Sequence, residues 1–331
     1  MTSQQAAPED DPFAQYKEVA DQYHTFESRI AWDWLCGGNR HFGYYENTNT
    51  WWPFPISAAQ KRMQAKLLSR LEPLPQDARV LDIGCGDGHV AIDLALRRPD
   101  IHITGFDVVE RHLENARRNV IREGLEGRVE IMRLDFAGMD TVLEKNSFDA
   151  AYTSEVLLHA SHPEKVLHTV FCVLKSPSPR EGGNRNGGVL VLHEYHNDFM
   201  KGLEGFPAAI AADFQQSEGQ GRGQGQSQSE GEEQGQGQRG REPAFTRASR
   251  YFSKEMQRAG FQEVEIKDYS ENVEPMARLL NVSALWRYVV VALRLGRWFP
   301  NSAKREEGYV GRAHWAYVSV RGVKGEVGGD I

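Results

Sequence analysis

A glycine-rich stretch at residues 80–89, Val-Leu-Asp-Ile-Gly-Cys-Gly-Asp-Gly-His, has the composition and spacing of a ligand-binding turn. Glycine lets the backbone turn tightly and approach a ligand closely, and a helix that follows offers free N–H groups at its start. The glycines alternate with other residues, at Gly84, Gly86 and Gly88, and Asp82 precedes them. A dinucleotide-binding fingerprint requires glycine at position 89, where the chain has His89. The stretch therefore predicts a nucleotide-type ligand that is not a dinucleotide.

The same stretch resembles motif I of the class I S-adenosylmethionine-dependent methyltransferases, and the resemblance extends over roughly residues 78–195. It implies an α/β fold with a Rossmann-like, seven-stranded, mostly parallel sheet and helical N-terminal and C-terminal caps. It also implies S-adenosyl-L-methionine as the cofactor. Within this family the chain is most similar to the small-molecule group that includes sterol and tocopherol methyltransferases, and to fungal secondary-metabolite O- and N-methyltransferases.

The resemblance assigns cofactor-binding roles to residues that follow successive predicted strands. An acidic residue after the second strand binds both ribose hydroxyls in this family, which a carboxylate can do because it accepts two hydrogen bonds. Acidic and apolar groups after the third strand hold adenine, and the methionine end lies after the fourth strand. Aromatic residues of the N-terminal segment close over the cofactor. In this chain the corresponding residues are Asp107 with Val108, Asp135 with Phe136, Glu155, and the aromatic pair Tyr16 and Tyr23 with the stretch 41–45. Asp82, Gly84, Gly86 and Gly88 complete the predicted cofactor site.

Three residues are candidates for a catalytic base. A sulfonium methyl donor is already activated, so the protein must mainly place the acceptor in line with the methyl group at roughly 3 Å and exclude water. A base is needed where the acceptor keeps a proton, and imidazole titrates in the right range. His159 is the first candidate, from its place in a family-like stretch at 155–163; a structural hydrogen bond within a helix cap is the alternative. Glu194 and His196 follow the fifth predicted strand at the ligand-binding edge.

Alternating strands and helices must position these residues. Short apolar runs predict strands at 80–83, 101–106, 129–134, 148–153, 188–193, 261–266 and 315–320. Helical spacing predicts helices at 16–36, 56–71, 90–98, 111–123, 163–174 and 253–259. This alternation indicates right-handed crossovers and a sheet covered on both faces.

The chain divides into four predicted regions. Residues 1–77 form a helical and aromatic lid, and residues 78–214 form the cofactor-binding α/β core. Residues 215–243 are an insertion: 17 of the 26 positions from 215 to 240 are Gln or Gly and none is apolar, so the segment cannot offset its ordering entropy by burial. Residues 244–331 complete the core and carry a mostly helical substrate cap at 271–312.

Composition excludes several classes of protein. The formal net charge of −7 argues against a nucleic-acid partner, and three widely spaced cysteines form neither a disulfide framework nor a zinc cluster. His193 and His196 have no third ligand nearby in sequence, so no metal is predicted. The N-terminus lacks a signal-peptide pattern, and arginines interrupt the apolar stretch 279–299, so no membrane span is predicted. A cytoplasmic protein is expected, and its oligomeric state cannot be inferred.

The predicted function is methyl transfer from S-adenosylmethionine to a small, largely apolar natural product in secondary metabolism, most readily at oxygen. Transfer to nitrogen or carbon is the first alternative. A regulator that binds the cofactor without turnover is the second, because the insertion could tether a partner. A nicotinamide-dependent oxidoreductase is disfavoured by His89.

Overall fold

A computed structural model describes residues 13, 25, 29–160, 162–177, 187–197, 243–279 and 315–326. Its centre is a seven-stranded sheet with the strands β1 (Arg79–Ile83), β2 (His102–Asp107), β3 (Val129–Arg133), β4 (Ala150–Ser154), β5 (Val189–Asn197), β6 (Phe261–Asp268) and β7 (Trp315–Lys324). The helices are α1 (Ile56–Leu71), α2 (His89–Arg97), α3 (Glu110–Arg122), the short α4 (Met139–Val142), α5 (Pro163–Val173) and α6 (Ala244–Arg258). A seventh, α7, is described over residues 270–279.

The strand order is β3-β2-β1-β4-β5-β7-β6, and β7 alone runs antiparallel to its neighbours β5 and β6 in the described sheet. This confirms the predicted seven-stranded, mostly parallel α/β fold. Because the order reverses between β1 and β4, the loops after these strands diverge and leave a crevice at their carboxyl ends. The glycine-rich turn and the segment after β4 border that crevice.

Helices cover both faces of the sheet. A core cluster on one face includes Val80, Tyr152 and Val191, with α1 and α2 contributing Leu67 and Leu94. The cluster on the other face joins α5 and α6 to residues that alternate with these along the strands. Strands buried on both faces explain the nearly continuous apolar runs in the sequence.

Four predicted elements were too short: β5, which was predicted to end at 193, β6 at 266, β7 at 320, and α6, which was predicted to begin at 253. β5 continues to Asn197 through His193, Glu194 and His196, because each of its residues pairs with one on β7. α6 begins at Ala244 and not at residue 253, and buries a helical stripe of Ala244, Ala248, Phe252 and Met256. The fourth strand was placed too early: Phe148 forms an isolated bridge with Leu174, and the regular strand begins at Ala150.

The predicted caps are only partly described. Of the N-terminal helix predicted at 16–36, the structure describes a π-helical turn, Arg29–Leu35. Of the predicted cap at 271–312, it describes helical residues up to 279. The insertion predicted at 215–243 lies outside the described residues except for Pro243, and the division into lid, core, insertion and cap stays a prediction. Across the part of the chain that the structure describes, no helix is both long and apolar enough to span a membrane.

Candidate active site

The glycine turn after β1 has the left-handed backbone that its sequence predicts. Gly84, Gly86 and Gly88 have φ values of 74°, 52° and 79°. A Cβ on Gly84 would lie 2.6 Å from the side chain of Val156, whereas a Cβ on Gly86 would meet no atom within 4 Å. Gly88 caps the start of α2. Gly84 is therefore needed for packing within the protein, and Gly86 borders open space.

That open space belongs to a cavity that opens to solvent and holds about 730 Å³ of space free of protein atoms, open solvent included. It runs along the carboxyl ends of β1, β2 and β4 and also contacts the loop after β3. Its lining residues are Arg40, Gly84, Gly86, Phe106, Asp107, Val108, Val109, His112, Leu134, Phe136, Ser154, Glu155, Val156 and His159. We call it the first cavity.

Asp107 is fixed at one side of the first cavity by two backbone groups. Its Oδ2 accepts a hydrogen bond from Gly86 N–H at 3.0 Å, and its Oδ1 accepts one from Val109 N–H at 2.9 Å. Burial would raise its pKa, but His112, with Nδ1 at 3.8 Å from Oδ2, and these backbone donors outweigh burial and lower it. Asp107 is therefore an ionised acceptor, as a ribose-binding role requires.

The far side of the first cavity is apolar. Val108, Leu134 and Phe136 line it, and the Phe136 ring lies edge-on to Phe106 with 6.3 Å between centroids. Asp135 precedes the short 3-10 turn Phe136–Gly138 and accepts Gly138 N–H through its backbone carbonyl. It is not among the lining residues. Two of the predicted cofactor-binding residues, Val108 and Phe136, thus lie in this apolar part of the cavity. Their contact with the cofactor, like that of Asp135, stays a prediction.

A second cavity, of about 390 Å³, shares Arg40, Gly84, Gly86 and Ser154 with the first. Asp82 lines it, is 3% exposed, and has a buried Oδ2 with no hydrogen-bond partner. Burial raises its pKa to about 7, and Tyr152, on the neighbouring strand, opposes that shift. A buried acceptor without a partner fits a ligand that brings a donor, such as an ammonium group.

Arg40 lines both cavities and was not predicted from the sequence. Its Nη2 lies 3.3 Å from Asp33 Oδ1 and 3.4 Å from Asp87 Oδ2. It belongs to a segment without regular structure, residues 39–45, that lies along α1 and that we call the strap. The sequence signal that could have identified Arg40 is its position directly before the aromatic His41–Tyr45 stretch.

Glu155 follows β4 and lines the first cavity. Its backbone φ is 60°, an uncommon conformation for a residue with a side chain. Its Oε1 accepts hydrogen bonds from Phe42 N–H at 2.6 Å and from Tyr317 O–H at 2.9 Å. Burial raises its pKa to about 8, although these two donors act in the opposite direction. The side chain thus joins the strap, β4 and β7.

The three candidate bases occupy different places. His159 lines the first cavity with part of its surface exposed. The protein atoms around the imidazole lower its pKa by desolvation, and the charge of Asp107 opposes that shift. Glu194 is 1% exposed, and its Oε1 accepts hydrogen bonds from Thr153 Oγ1 at 2.7 Å and from two backbone N–H groups, those of residues 156 and 157. Burial raises its pKa to about 7.

Glu194 and His196 share a side of β5 because side chains alternate along a strand. His196 is buried and pairs with Ala316 of β7. Neither residue lines the first or the second cavity. Tyr16 and Tyr23 lie outside the described residues. Of the predicted site residues that the structure describes, those that line the two cavities are Asp82, Gly84, Gly86, Asp107, Val108, Phe136, Glu155 and His159. Gly88, Asp135, Glu194 and His196 line neither cavity, although Glu194 contacts the turn after β4.

Among the described ranges, no group of three or more His, Cys, Asp and Glu side chains is arranged to hold a metal ion. The two cavities instead fit the parts of S-adenosylmethionine. An apolar slot can take an adenine, an ionised carboxylate can take ribose hydroxyls, and a buried acceptor without a partner can take an ammonium group. The open space at Gly86 lets the backbone approach such a ligand.

Comparison with known proteins identifies the family. A family model described as a methyltransferase domain matches residues 74–179. The S-adenosyl-L-methionine-dependent Diels-Alderase iccD of Talaromyces variabilis is 31% identical over 313 residues, 94% of this chain and 96% of that protein. An O-methyltransferase of Pyrenophora dematioidea is 33% identical over 151 residues, which cover 44% of this chain and 52% of that protein.

Among solved structures, the [4+2]-cyclase SpnF has the same fold, with a TM-score of 0.62 at 20% identity over 94% of this chain and 97% of that one. The predicted family and cofactor are confirmed by these matches. The chain therefore belongs to the class I S-adenosylmethionine-dependent methyltransferase family, and S-adenosyl-L-methionine is its cofactor.

Proposed function

We propose that this chain binds S-adenosylmethionine across the two cavities and acts there on a small, largely apolar natural product in secondary metabolism. Val108, Leu134 and Phe136 would hold the adenine, and Asp107 would accept hydrogen bonds from the ribose hydroxyls. In the second cavity, Asp82 would accept the ammonium group of the methionine part. Arg40 would lie near its carboxylate. When bound, the cofactor supplies a sulfonium, which carries a positive charge and a transferable methyl group.

The aromatic side chains beside Glu155 support an apolar substrate. Phe42 packs edge-on against Tyr195, Trp315 and Tyr317 with centroid distances of 6.2, 5.8 and 5.8 Å. We call these four residues the aromatic cluster. They join the strap to β5 and β7 behind Glu155, where Tyr317 is fully buried and none of the four residues lines either cavity, so their contribution would be to keep the wall of the site apolar.

For the reaction, we propose a [4+2] cycloaddition. The observation that carries this proposal is the near full-length match to a protein named as an S-adenosylmethionine-dependent Diels-Alderase. A cycloaddition forms two σ bonds from two π bonds and releases no proton, so it needs no base. The site is compatible with this requirement, because two of the three predicted bases, Glu194 and His196, line neither cavity.

Methyl transfer to oxygen, the reaction predicted from the sequence, is the second candidate, with nitrogen or carbon as other acceptors. The match to an O-methyltransferase supports it. Its proposed base, His159, lines the first cavity, where the charge of Asp107 acts on its pKa, so the acceptor would have to reach this part of the cavity. Binding of the cofactor without turnover stays a third hypothesis. For all three candidates we propose a cytoplasmic protein that has no nucleic-acid partner.

Incubation with methyl-labelled S-adenosylmethionine and a metabolite extract of the source organism, followed by mass spectrometry, tests these candidates. A cycloaddition within one molecule yields an unlabelled isomer of the substrate, and its formation requires the cofactor without consuming it. Methyl transfer yields a labelled product heavier by one CH2 unit. The Asp107→Ala variant is the control for cofactor dependence. A labelled product without any unlabelled isomer would reject the cycloaddition, and no new product would favour a regulator.

A further inference from the structure

A third cavity lies beside the cofactor site and has no role in the proposed reaction. It opens to solvent and holds about 740 Å³ of space free of protein atoms, open solvent included. One side of it is a face of α3, and its other lining residues are Asp33, Gly37, Gly38, Asp87 and His89. The last three of these also line the second cavity, so the two spaces share a wall. We call the third cavity the arginine cleft.

The face of α3 that lines the arginine cleft carries arginine and asparagine alone. Its members, at helical spacing, are Arg111, Asn115, Arg118, Asn119 and Arg122. The outward face of the same helix mixes charges of both signs, as a solvated face usually does, and there Arg117 pairs with Glu110 at 3.1 Å. Neither Glu110 nor Glu114, the two acids of α3, lines the cleft. The cleft therefore presents a row of cationic donors along one helix.

The two asparagines connect this row to the glycine turn after β1. Asn119 Nδ2 donates to the backbone carbonyl of Asp87 at 2.9 Å, and Asn115 Nδ2 donates to Asp87 Oδ1 at 3.4 Å. The amide oxygen of Asn115 accepts a hydrogen bond from Arg118 Nη2. These contacts hold α3 against the turn and fix the Arg118 guanidinium at the cleft.

Two carboxylates line the arginine cleft, and both are shared with Arg40. Arg40 Nη2 lies 3.3 Å from Asp33 Oδ1 and 3.4 Å from Asp87 Oδ2. Arg111 Nη2 lies 3.6 Å from the second oxygen of Asp33. Arg40 and Arg111 together therefore balance the charge of these two carboxylates.

Arg118 and Arg122 add positive charge beyond this balance. Arg118 donates to an amide oxygen and, among the described residues, to no carboxylate. Arg122 pairs at 3.2 Å with its sequence neighbour Glu123, and its side chain is 65% exposed, so this ion pair contributes little and is easily replaced. The excess is local, because the chain as a whole has a formal net charge of −7. An anion is therefore the kind of ligand that the cleft attracts.

The spacing of the three arginines favours an elongated anion. Along the helix axis, Arg118 and Arg122 are about 6 Å apart, and Arg111 is about 10 Å from Arg118. A single phosphate ion can bridge two neighbouring guanidiniums, whereas linked phosphates extend along the row. Guanidinium groups bind phosphate oxygens through paired, charge-assisted hydrogen bonds.

We propose that the arginine cleft binds a diphosphate group, either free or as part of a phosphorylated metabolite, while the cofactor occupies the two neighbouring cavities. Arg118 and Arg122 contact its oxygens, and Arg111 extends the contact toward the start of α3. No bond is made or broken at this site. The proposal goes beyond the proposed function and is independent of whether the chain catalyses a cycloaddition or a methyl transfer.

Calorimetry with inorganic diphosphate, at low salt and without divalent cations, tests the binding. The protein is first saturated with S-adenosylhomocysteine, so that the cofactor cavities are filled. We expect a saturable signal with one diphosphate per chain. The absence of such a signal, or displacement of diphosphate by S-adenosylhomocysteine, would overturn the proposal. Failure of S-adenosylhomocysteine to bind would instead contradict the proposed function and leave the diphosphate measurement valid.

Arg118→Gln and Arg117→Gln form a matched pair, because the two arginines are neighbours on α3, both are exposed and each variant removes one charge. Arg118→Gln should weaken the binding of diphosphate by about tenfold, since a charge-assisted contact is lost. Arg122→Gln should act in the same direction, and Arg117→Gln should leave the affinity unchanged. Thermal unfolding and the affinity for S-adenosylhomocysteine should be those of wild type in all three. Equal losses in Arg117→Gln and Arg118→Gln would show general attraction by charge and would refute the site.

Inorganic phosphate and ADP distinguish the possible ligands. Phosphate should bind more weakly than diphosphate, because it contacts fewer guanidiniums, and equal affinities would overturn the assignment of an elongated anion. ADP that binds at least as tightly as diphosphate would support a phosphorylated metabolite. ADP that does not bind would support free diphosphate as the ligand.

Discussion

At the scale of single residues, the sequence predicts the positions of the turn glycines and of the acid that ends β2, but it does not predict the protonation of buried acids. Glycines that require a left-handed backbone and an acid at the end of β2 lie where their spacing predicts, because both depend on local geometry. The protonation of Asp82 and Glu155 depends on burial, which the sequence does not give.

Asp107→Asn should weaken the binding of S-adenosylhomocysteine by about tenfold to a hundredfold. The amide keeps one acceptor but loses the charge that strengthens hydrogen bonds from hydroxyl groups, an effect of about 1.5–3 kcal/mol. Isothermal titration calorimetry measures the change. Asp100→Asn is a matched control, because Asp100 pairs with Arg98 on the surface before β2 and lies outside both cavities. Equal affinities for wild type and Asp107→Asn would contradict the ribose assignment.

Alanine at Gly84 and at Gly86 should have different effects. Both positions have positive φ, which costs alanine about 1–2 kcal/mol. At Gly84 the new Cβ would also collide with Val156, so thermal unfolding should show the larger loss of stability, partly restored by the second substitution Val156→Ala. At Gly86 the Cβ meets no protein atom, so stability should fall less and cofactor affinity should fall more. Equal losses of stability would show that the contact with Val156 is relieved easily.

At the scale of elements, the strap depends on α1. Gln60 is fully buried and its Nε2 donates to His41 O at 2.9 Å and to Asn39 O at 3.2 Å. Tyr44 N–H donates at 2.8 Å to the carbonyl of Ala59, which precedes Gln60 on α1. The sequence correctly predicts α1 from its apolar period but not this second role, because a glutamine on a helix is usually solvated. The strap carries Arg40 and Phe42 to the cavities, so α1 positions part of the site.

Gln60→Leu should destabilise the strap. It removes the donor to two backbone carbonyls, and a buried acceptor left without a partner costs about 1–3 kcal/mol. We expect faster hydrogen exchange at residues 42–45 and a several-fold weaker affinity for S-adenosylhomocysteine. Lys61→Leu, at an exposed position of the same helix, is the control. Unchanged exchange in Gln60→Leu would show that the packing of aromatic side chains alone holds the strap.

At the scale of the whole molecule, burial of ionisable groups at one edge of the sheet should control stability against pH. Three acids have raised pKa values through burial: Asp82 and Glu194 at about 7 and Glu155 at about 8. Two histidines have lowered ones: His41 at about 4 and His193 at about 3. The unfolded chain would have ordinary values for all five.

The free energy of unfolding should fall as pH rises from 6.5 to about 8. In this window the native acids hold protons that the unfolded acids, with model values of 3.8 and 4.5, have already lost, so stability decreases. The slope is at most about 1.4 kcal/mol per pH unit for each proton. Below pH 6.5 the histidines act in the opposite direction, because the unfolded state then binds their protons. Above about pH 8 the acids are ionised in both states and the slope ends.

Chemical denaturation at several pH values checks this prediction. Glu194→Gln and Glu155→Gln should each reduce the slope, because glutamine does not titrate. Glu130→Gln, at an exposed position of β3, is the control and should leave the slope unchanged. A free energy of unfolding that stays constant between pH 6.5 and 8 would mean that these acids are ionised in the native protein.

The sequence by itself determined the order of strands and helices, the glycine turn and the acid at Asp107, and its resemblance to a known family implied the cofactor. The first three follow from patterns within ten or twenty residues: apolar periods, glycine spacing and the residue that ends a strand. The sequence also failed locally where a pattern was ambiguous, as in the polar end of β5, which is a strand because β7 pairs with it.

Only the tertiary structure decided which groups surround each functional side chain. Phe42 and Tyr317 reach Glu155 from 113 and 162 positions away in the chain, and Glu194 instead holds the turn after β4. No local pattern encodes such contacts, because they depend on how the strands pair and how the strap crosses the sheet edge. Desolvation, which sets whether Glu155 is a base or an acid, is a property of that assembled environment.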